Sequence, residues 1–340
     1  MGRRITILDL AKKLNTTPST VSRALRGYPG VSKSMRKAVK SLATELNYHP
    51  NSVASGLRKG KSYTIGIVVP HINRDFFSNV ISGIEDVAFK NGYKVVICQS
   101  HDNEEKEKQY IKTLVSARVD GIIVSIGMNS NSCAHFDQVL NARIPLIFFD
   151  RVCERLDVSR ILNDDFEGSY KTVSHLIEMG YKNIAYFSGP AHLNVYRDRK
   201  NGYFKALEDN GISLDESLII HHELSREAGL RDMKKLMKLK NKPDAIFSSS
   251  DYSALGALLF LRENNVMVPE DVGVAGFSNE KFTSLIDPAL TTVDQLSNEI
   301  GILCAKQFLE EVEMKNENYI PRKVILNPRL IIRDSTRRIR

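Results

Sequence analysis

The chain contains no tryptophan and only four cysteines in 340 residues. Nowhere does it string together the roughly 18 apolar residues that a membrane-crossing helix needs. Cys98, Cys133, Cys153 and Cys304 show no paired spacing, so neither a disulfide framework nor a Cys-x-x-Cys site is expected, and the usage fits a reducing compartment. A Gly-rich phosphate loop, His-Glu-x-x-His and Gly-x-Ser-x-Gly are all missing. Catalysis therefore has no support, and no metal or cofactor is expected. Arg3-Arg4 is followed by Asp9, Lys12 and Lys13 and not by a signal-peptide core. The opening residues match a myristoylation pattern but lead straight into a capped helix, so no membrane anchor is expected. A cytoplasmic location follows.

Acidic residues are scarce at one end only. The first 62 residues hold 13 Lys and Arg against Asp9 and Glu45, a net of +11, while the remaining 278 hold 35 basic and 38 acidic residues, a net of −3. That basic end suits a polyanion, and its punctuation predicts folded helices. Thr6 and Asp9 have capping-box spacing before Ile7, Leu10, Ala11 and Leu14, which predicts a helix over about Ile7–Leu14. Thr17 caps a second helix with Pro18 at its first position and Val21, Ala24 and Leu25 inward. A third, capped near Ser32, turns Met35, Val39, Leu42, Ala43 and Leu46 inward. Two short helices joined by a tight turn and braced by a third make a helix-turn-helix. The outward residues of its second helix, Ser19, Thr20, Ser22, Arg23 and Arg26, are the ones placed to reach a major groove. Arg23 is the candidate for direct guanine readout, and the hydroxyls for phosphate contacts that fix register.

Thr17-Pro18-Ser19-Thr20-Val21-Ser22-Arg23-Ala24-Leu25, then Gly30-Val31-Ser32, then Leu46-Asn47-Tyr48-His49-Pro50-Asn51, resembles the DNA-binding head of the lactose-repressor (LacI/GalR) family. The resemblance implies DNA contacts from Thr6 and Thr17 as well. It also implies that residues 51–58, with Asn51, Ala54, Leu57 and Arg58, form a hinge helix that folds on DNA and presses Leu57 into the minor groove. Wedge insertion of that kind costs a few kcal/mol of unstacking and gains contacts with the kinked duplex.

From Tyr63 onward, β-branched runs alternate with amphipathic stretches. Strands are expected at 65–69, 94–99, 121–125, 146–149, 183–187, 245–248 and 272–277, and helices at 77–90, 104–117, 169–179, 203–210, 228–239, 253–263 and 298–313. Apolar strands alternating with helices read as parallel sheets covered on both faces, and the length suggests two α/β lobes. The resemblance implies a periplasmic-binding-protein-like core crossed three times by the chain, near Asn163, Thr292 and Arg322. The expected organisation is thus an all-α helix-turn-helix domain (1–50), a hinge and linker (51–62) and a core (63–340). Its N-lobe is about 63–162 and 293–321, its C-lobe about 163–291 and 323–340.

Ligands of open α/β sheets sit beyond the carboxyl ends of the strands. That rule selects Asp75, Phe76, Phe77, Asp150, Asp251 and Ser278. One of the two phenylalanines is expected inward and one toward the cleft, and Asp251 either contacts ligand or caps the helix after it. The resemblance adds Arg199, chosen over neighbouring Arg197 and Lys200 by its spacing to Gly202, and Gln295. Many sugar-responsive relatives carry an acid directly after the Gly-Phe of the late strand, where this chain reads Ser278-Asn279. His221-His222 reads as strand-edge packing and not as a metal pair.

The resemblance implies a transcriptional regulator, a repressor, that binds a near-palindromic double-stranded operator as a homodimer under control of a small polar effector such as a sugar. A dimer and not a tetramer is expected, since no heptad segment follows the last strand motif. A transport-associated sugar-binding protein would share the core without the basic head; an architectural DNA-binding protein would share the head without the cleft.

Overall fold

A computed structural model describes residues 5–48, 61–314 and 320–338, and the chain divides into two compact units, 1–62 and 63–340. The expected hinge contacts Asn51, Ala54, Leu57 and Arg58 lie outside the described residues.

The head contains α1 (Ile7–Lys13), α2 (Pro18–Arg26) and α3 (Lys33–Glu45). Each starts where a side chain satisfies an orphan N–H. Thr6 accepts from the Asp9 N–H while the Asp9 carboxylate accepts from the Thr6 N–H at 2.8 Å, Thr17 accepts from Thr20 and Ser32 from Met35. Such caps contribute about 1 kcal/mol each. Gly27 ends α2 in the left-handed conformation (φ 76°), which costs glycine nothing. Leu10, Ala11, Val21, Ala24, Val39 and Ala43 form the core, with Met35, Leu42 and Leu46 at its margin.

The second unit holds two parallel sheets. The N-lobe sheet runs β11-β5-β4-β3-β1-β2, made of β1 (Thr64–Val69), β2 (Lys94–Gln99), β3 (Gly121–Val124), β4 (Leu146–Phe149), β5 (Ser159–Asn163) and β11 (Lys323–Leu326). The C-lobe sheet runs β7-β6-β8-β9, made of β6 (Ile184–Ser188), β7 (Ile219–His221), β8 (Ala245–Ser248) and β9 (Gly273–Ala275). Between the lobes pass β10 (Thr292–Asp294) and β12 (Arg329–Ile331), an antiparallel pair. Helices α4 (Asp75–Lys90), α5 (Glu104–Ser116), α6 (Asp137–Asn141) and α11 (Ser297–Glu313) flank the N-lobe sheet. Helices α7 (Asp165–Glu178), α8 (Asn194–Asp209), α9 (Arg226–Leu236) and α10 (Asp251–Glu263) flank the other.

Several expectations shift. The third crossing is expected near Arg322, yet Lys323–Leu326 pairs in parallel with β5 and belongs to the N-lobe sheet, so the chain crosses at Asn327-Pro328. The segment is short and alternately exposed, which disguises it as the start of the return strand. Helix α8 begins nine residues before the expected Tyr203, because its first turns are rich in charge. Cys133 and Cys153 are joined in a disulfide with Cα atoms 6.1 Å apart. Sequence spacing concealed this: β4 returns the chain to the start of the segment before α6. The pairing withdraws the support that unpaired cysteines gave to a reducing compartment. His221 lies on the edge strand β7, while His222 faces the Ser253 hydroxyl at 3.2 Å.

The N-lobe helices α4 and α11 pack back to back through glycine. A Cβ on Gly83 would stand 2.3 Å from the Asn298 carbonyl, and one on Gly301 would stand 2.1 Å from that of Val80. Only glycine permits this approach, which fixes the axis of α4 and hence the position of its N-terminus at the cleft.

Candidate functional sites

On the head, Ser19, Arg23 and Arg26 are exposed on α2, and Thr20 and Ser22 are half-buried. Thr17 Oγ lies 2.8 Å from the Ser19 hydroxyl and 2.9 Å from that of Thr20, a hydroxyl cluster at the helix start. Thr6 and Thr17 act as caps in this form. The Arg23 guanidinium, the candidate base reader, is folded back: its Nη2 donates to the Pro29 carbonyl at 2.6 Å. Reading a guanine thus exchanges one internal hydrogen bond for two, a trade DNA binding can drive.

In the core, the strand ends converge on one cavity between the lobes. From the N-lobe come Phe76 and Phe77 at the start of α4, His71 after β1, Asp102 after β2, and Asp150 and Arg151 after β4. Tyr196 and Arg199 on α8, Ser249 after β8, Ser278 and Glu280 after β9, and Gln295 after β10 close the other side. Both phenylalanines line the cavity and both are buried, their rings edge-on at 5.1 Å; the expected division of one inward and one cleftward does not occur, since Phe77 packs also against Phe149. The cavity is about 90 Å³, well below the roughly 300–1,000 Å³ of typical small-molecule sites. The two lobes touch directly across it, through Arg151 and Tyr196 and through Asp75 with Glu280 and Lys281.

Arg199, nominated over Arg197 and Lys200, is the buried one. It donates Nε to Asp165 at 2.8 Å and Nη1 to the Ser249 carbonyl at 2.9 Å, over the Phe277 ring at 3.7 Å. Arg197 instead forms a paired contact with Glu154. Arg151 donates to Asp102 at 2.8 Å and to the Tyr196 hydroxyl at 2.9 Å, so it reaches across the lobes. Burial disfavours an ionised Asp102, but Arg151 and hydrogen bonds from His71 and the Met128 N–H outweigh it and hold the carboxyl well below the usual range. Burial pushes the Asp150 carboxyl up, with Arg151 and Arg199 opposing; it accepts from the Ser125 hydroxyl at 3.2 Å. Gln295 is 2 % exposed, and its Nε2 finds no acceptor among the described residues. An unanswered buried donor costs about 1–3 kcal/mol, which a ligand acceptor would recover.

Asp251 does not line the cavity. Fully buried, it accepts from the Thr292 hydroxyl at 2.6 Å and the Glu280 N–H at 2.9 Å, tying the loop after β9 to crossing strand β10. Asp75 lies beside the cavity wall and bonds across to Lys281. Position 278 carries no acid, but Glu280, two residues on and after the left-handed residues Ser278 and Asn279 (φ 124° and 51°), lines the cavity. Sequence reasoning missed Glu280, Asp102, Arg151 and Tyr196. The strand-end rule would have found the first three had it run two or three residues further.

Burial, opposed by the hydrogen bond from the Asp75 N–H and by Arg74 and reinforced by the Asp251 and Asp75 carboxylates, pushes Glu280 up to about 7. A raised carboxyl favours the folded state while protonated, a contribution fully present below its ordinary 4.5 and lost as pH rises through about 7. Thermal melts should therefore show the midpoint difference between pH 5.5 and pH 8 shifting toward greater stability at pH 8 in Glu280→Gln. An unchanged difference would show that Glu280 does not titrate in this window.

Residues 6–51 match the family model of bacterial regulatory proteins, lacI family, and residues 62–333 match that of periplasmic binding proteins and the sugar binding domain of the LacI family. The NTD biosynthesis operon regulator NtdR of Bacillus subtilis (strain 168) is 34% identical over 332 residues, 97% of this chain and 99% of its own length. The lac repressor dimer bound to operator and the anti-inducer ONPF superposes with a TM-score of 0.85 at 25% identity, covering 98% of this chain and 99% of its own. The transcriptional regulator CelR in complex with cellobiose gives 0.74 at 26%, covering 98% and 100%. A capped helix-turn-helix ahead of a two-lobed core, each matched by its own model, places this chain in the LacI family of DNA-binding transcriptional regulators.

Proposed function

We propose that the protein represses transcription in the cytoplasm as a homodimer on a near-palindromic operator, and that a small polar ring, a sugar or sugar derivative, bound between the lobes changes its operator affinity. The observation that carries the effector half is the cleft itself: buried aromatic rings beside Asp150 and the unanswered Gln295 donor at strand carboxyl ends and Arg199 on α8. Rings of Phe76 and Phe77 offer stacking surface, while carboxylate and guanidinium groups pair with adjacent hydroxyls. The cellobiose complex of CelR supports the sugar class. Among the head residues, Ser19, Thr20, Ser22, Arg23 and Arg26 contact DNA, with Thr6 and Thr17 at helix starts and Asn51, Ala54, Leu57 and Arg58 at the operator centre. Coupling requires the effector to bind the DNA-competent and DNA-incompetent forms with different affinity.

Selection from a random duplex pool with the full-length protein, at about 0.15 M salt where nonspecific phosphate binding is weakened, tests the operator half. A near-palindrome with a fixed central step is expected. Binding without sequence preference would sink this reading.

A further inference from the structure

Helix α4 starts without a cap of its own. Its N-cap residue, Arg74, makes no side-chain hydrogen bond to the first turn, and its guanidinium lies instead over the Tyr252 ring at 3.5 Å. The missing acceptor comes from the other lobe. Glu280 Oε2 accepts the Asp75 N–H at 2.9 Å, across 205 positions of sequence. The converse holds on the facing side. The short 3-10 turn Lys281–Ser284 has Glu280 at its N-cap and no side-chain cap, and the Asp75 carboxylate accepts the Lys281 N–H at 2.7 Å. Lys281 Nζ adds a looser contact to Asp75 at 3.5 Å.

In an ordinary capping box two residues three apart on one helix satisfy each other's orphan N–H groups. Here the two halves sit on opposite lobes, so each satisfies the other's helical start only while the cleft is shut. The helix dipole at the N-terminus of this 16-residue helix also draws the carboxylate, though burial outweighs it and leaves the group raised. The mounting is stiff on both sides. Asp251 accepts the Glu280 N–H at 2.9 Å, and α4 is held to α11 by the glycine contact described above. Glu280 is 3 % exposed and also lines the cavity, so it stands where ligand and closure meet.

We propose that Asp75 and Glu280 form a capping box split between the lobes, and that Glu280 is the positioning residue that holds the cleft closed through Asp75. Because all four groups belong to the chain, closure needs no effector. A ligand adds to the clasp or competes with it, which is how one cleft can be pushed either way.

Amide hydrogen exchange of the ligand-free, full-length protein, resolved to single residues, tests this. The Asp75 and Lys281 amides are expected to be protected in the wild type. Glu280→Ala should speed both at least tenfold, although the Lys281 acceptor is untouched, while amides in β1 and β6 stay protected. Glu280→Gln, which keeps an oxygen acceptor, should restore most of the protection. Asp75→Ala should in turn release the Lys281 amide. Fast exchange in the wild type overturns the proposal, as does an effect of Glu280→Ala confined to the Asp75 amide. If Glu280→Ala loses protection in β1 and β6 as well, the variant has unfolded, and Asp75→Ala decides: no change at Lys281 overturns the clasp.

Discussion

Arg199→Ala should lower the melting temperature of the protein by on the order of 10 °C and remove its effector response. The guanidinium is 4 % exposed and is the hydrogen-bonded partner of Asp165, which is equally buried. Removing one member of a buried pair strands the other at a cost of about 3–5 kcal/mol, and in a domain of this size each kcal/mol is worth roughly 2–4 °C. Burial already pushes the Asp165 carboxyl up, with Arg199 pulling it back. Without the guanidinium the acid escapes its penalty by taking a proton, so the loss should be smaller at pH 5 than at pH 8. The double variant Asp165→Leu/Arg199→Met removes both charges from the interior and should recover most of the stability, since apolar replacement of a buried pair is often neutral or better. It should remain blind to effector. Recovery of the response in the double variant would show that Arg199 supports the wall and does not touch the ligand.

Removal of residues 1–62 should reduce operator affinity at least about a thousandfold, the lower bound of the usual gap between specific and nonspecific binding. The net charge of +11 leaves with that segment, and the residue that remains carries −3, which repels a duplex. The core should stay folded, because Tyr63–Arg340 forms its own compact unit around its own apolar clusters. Fluorescence anisotropy on labelled operator, with circular dichroism on the same sample, reads both outcomes. Retained sequence-specific binding by the truncated chain would overturn the assignment of DNA recognition to the head.

Most of the head was legible, since its cues are local: caps at Thr6, Thr17 and Ser32 sit within one residue of the helix starts they predict. The alternation of long strands and helices was legible for the same reason. Three of the short strands were not. Ile219–His221, Thr292–Asp294 and Arg329–Ile331 span three residues each, too few for a period to register. Helix α8 hid its first half because Arg197, Asp198 and Lys200 read as solvated around Arg199, whose inward partner Asp165 lies 34 residues away. Asp251, which the strand-end rule selects, stays out of the cavity, and Glu280, which it passes over, lines it, for a related reason. Which of two nearby acids faces the cavity depends on the two left-handed residues at 278 and 279, a property of the backbone that composition does not announce.

The N-lobe sheet is finished by a strand from near the far end of the chain, β11 beside β5. During synthesis this creates an interval. The 281 residues that separate Glu45, the end of α3, from Leu326 take about 14 to 56 s to emerge at roughly 5–20 residues per second. Throughout that time a complete basic head hangs from an unfinished core, with the exposed edge of β5 waiting for its neighbour. The nascent protein is thus able to meet nucleic acid well before it is able to close on an effector.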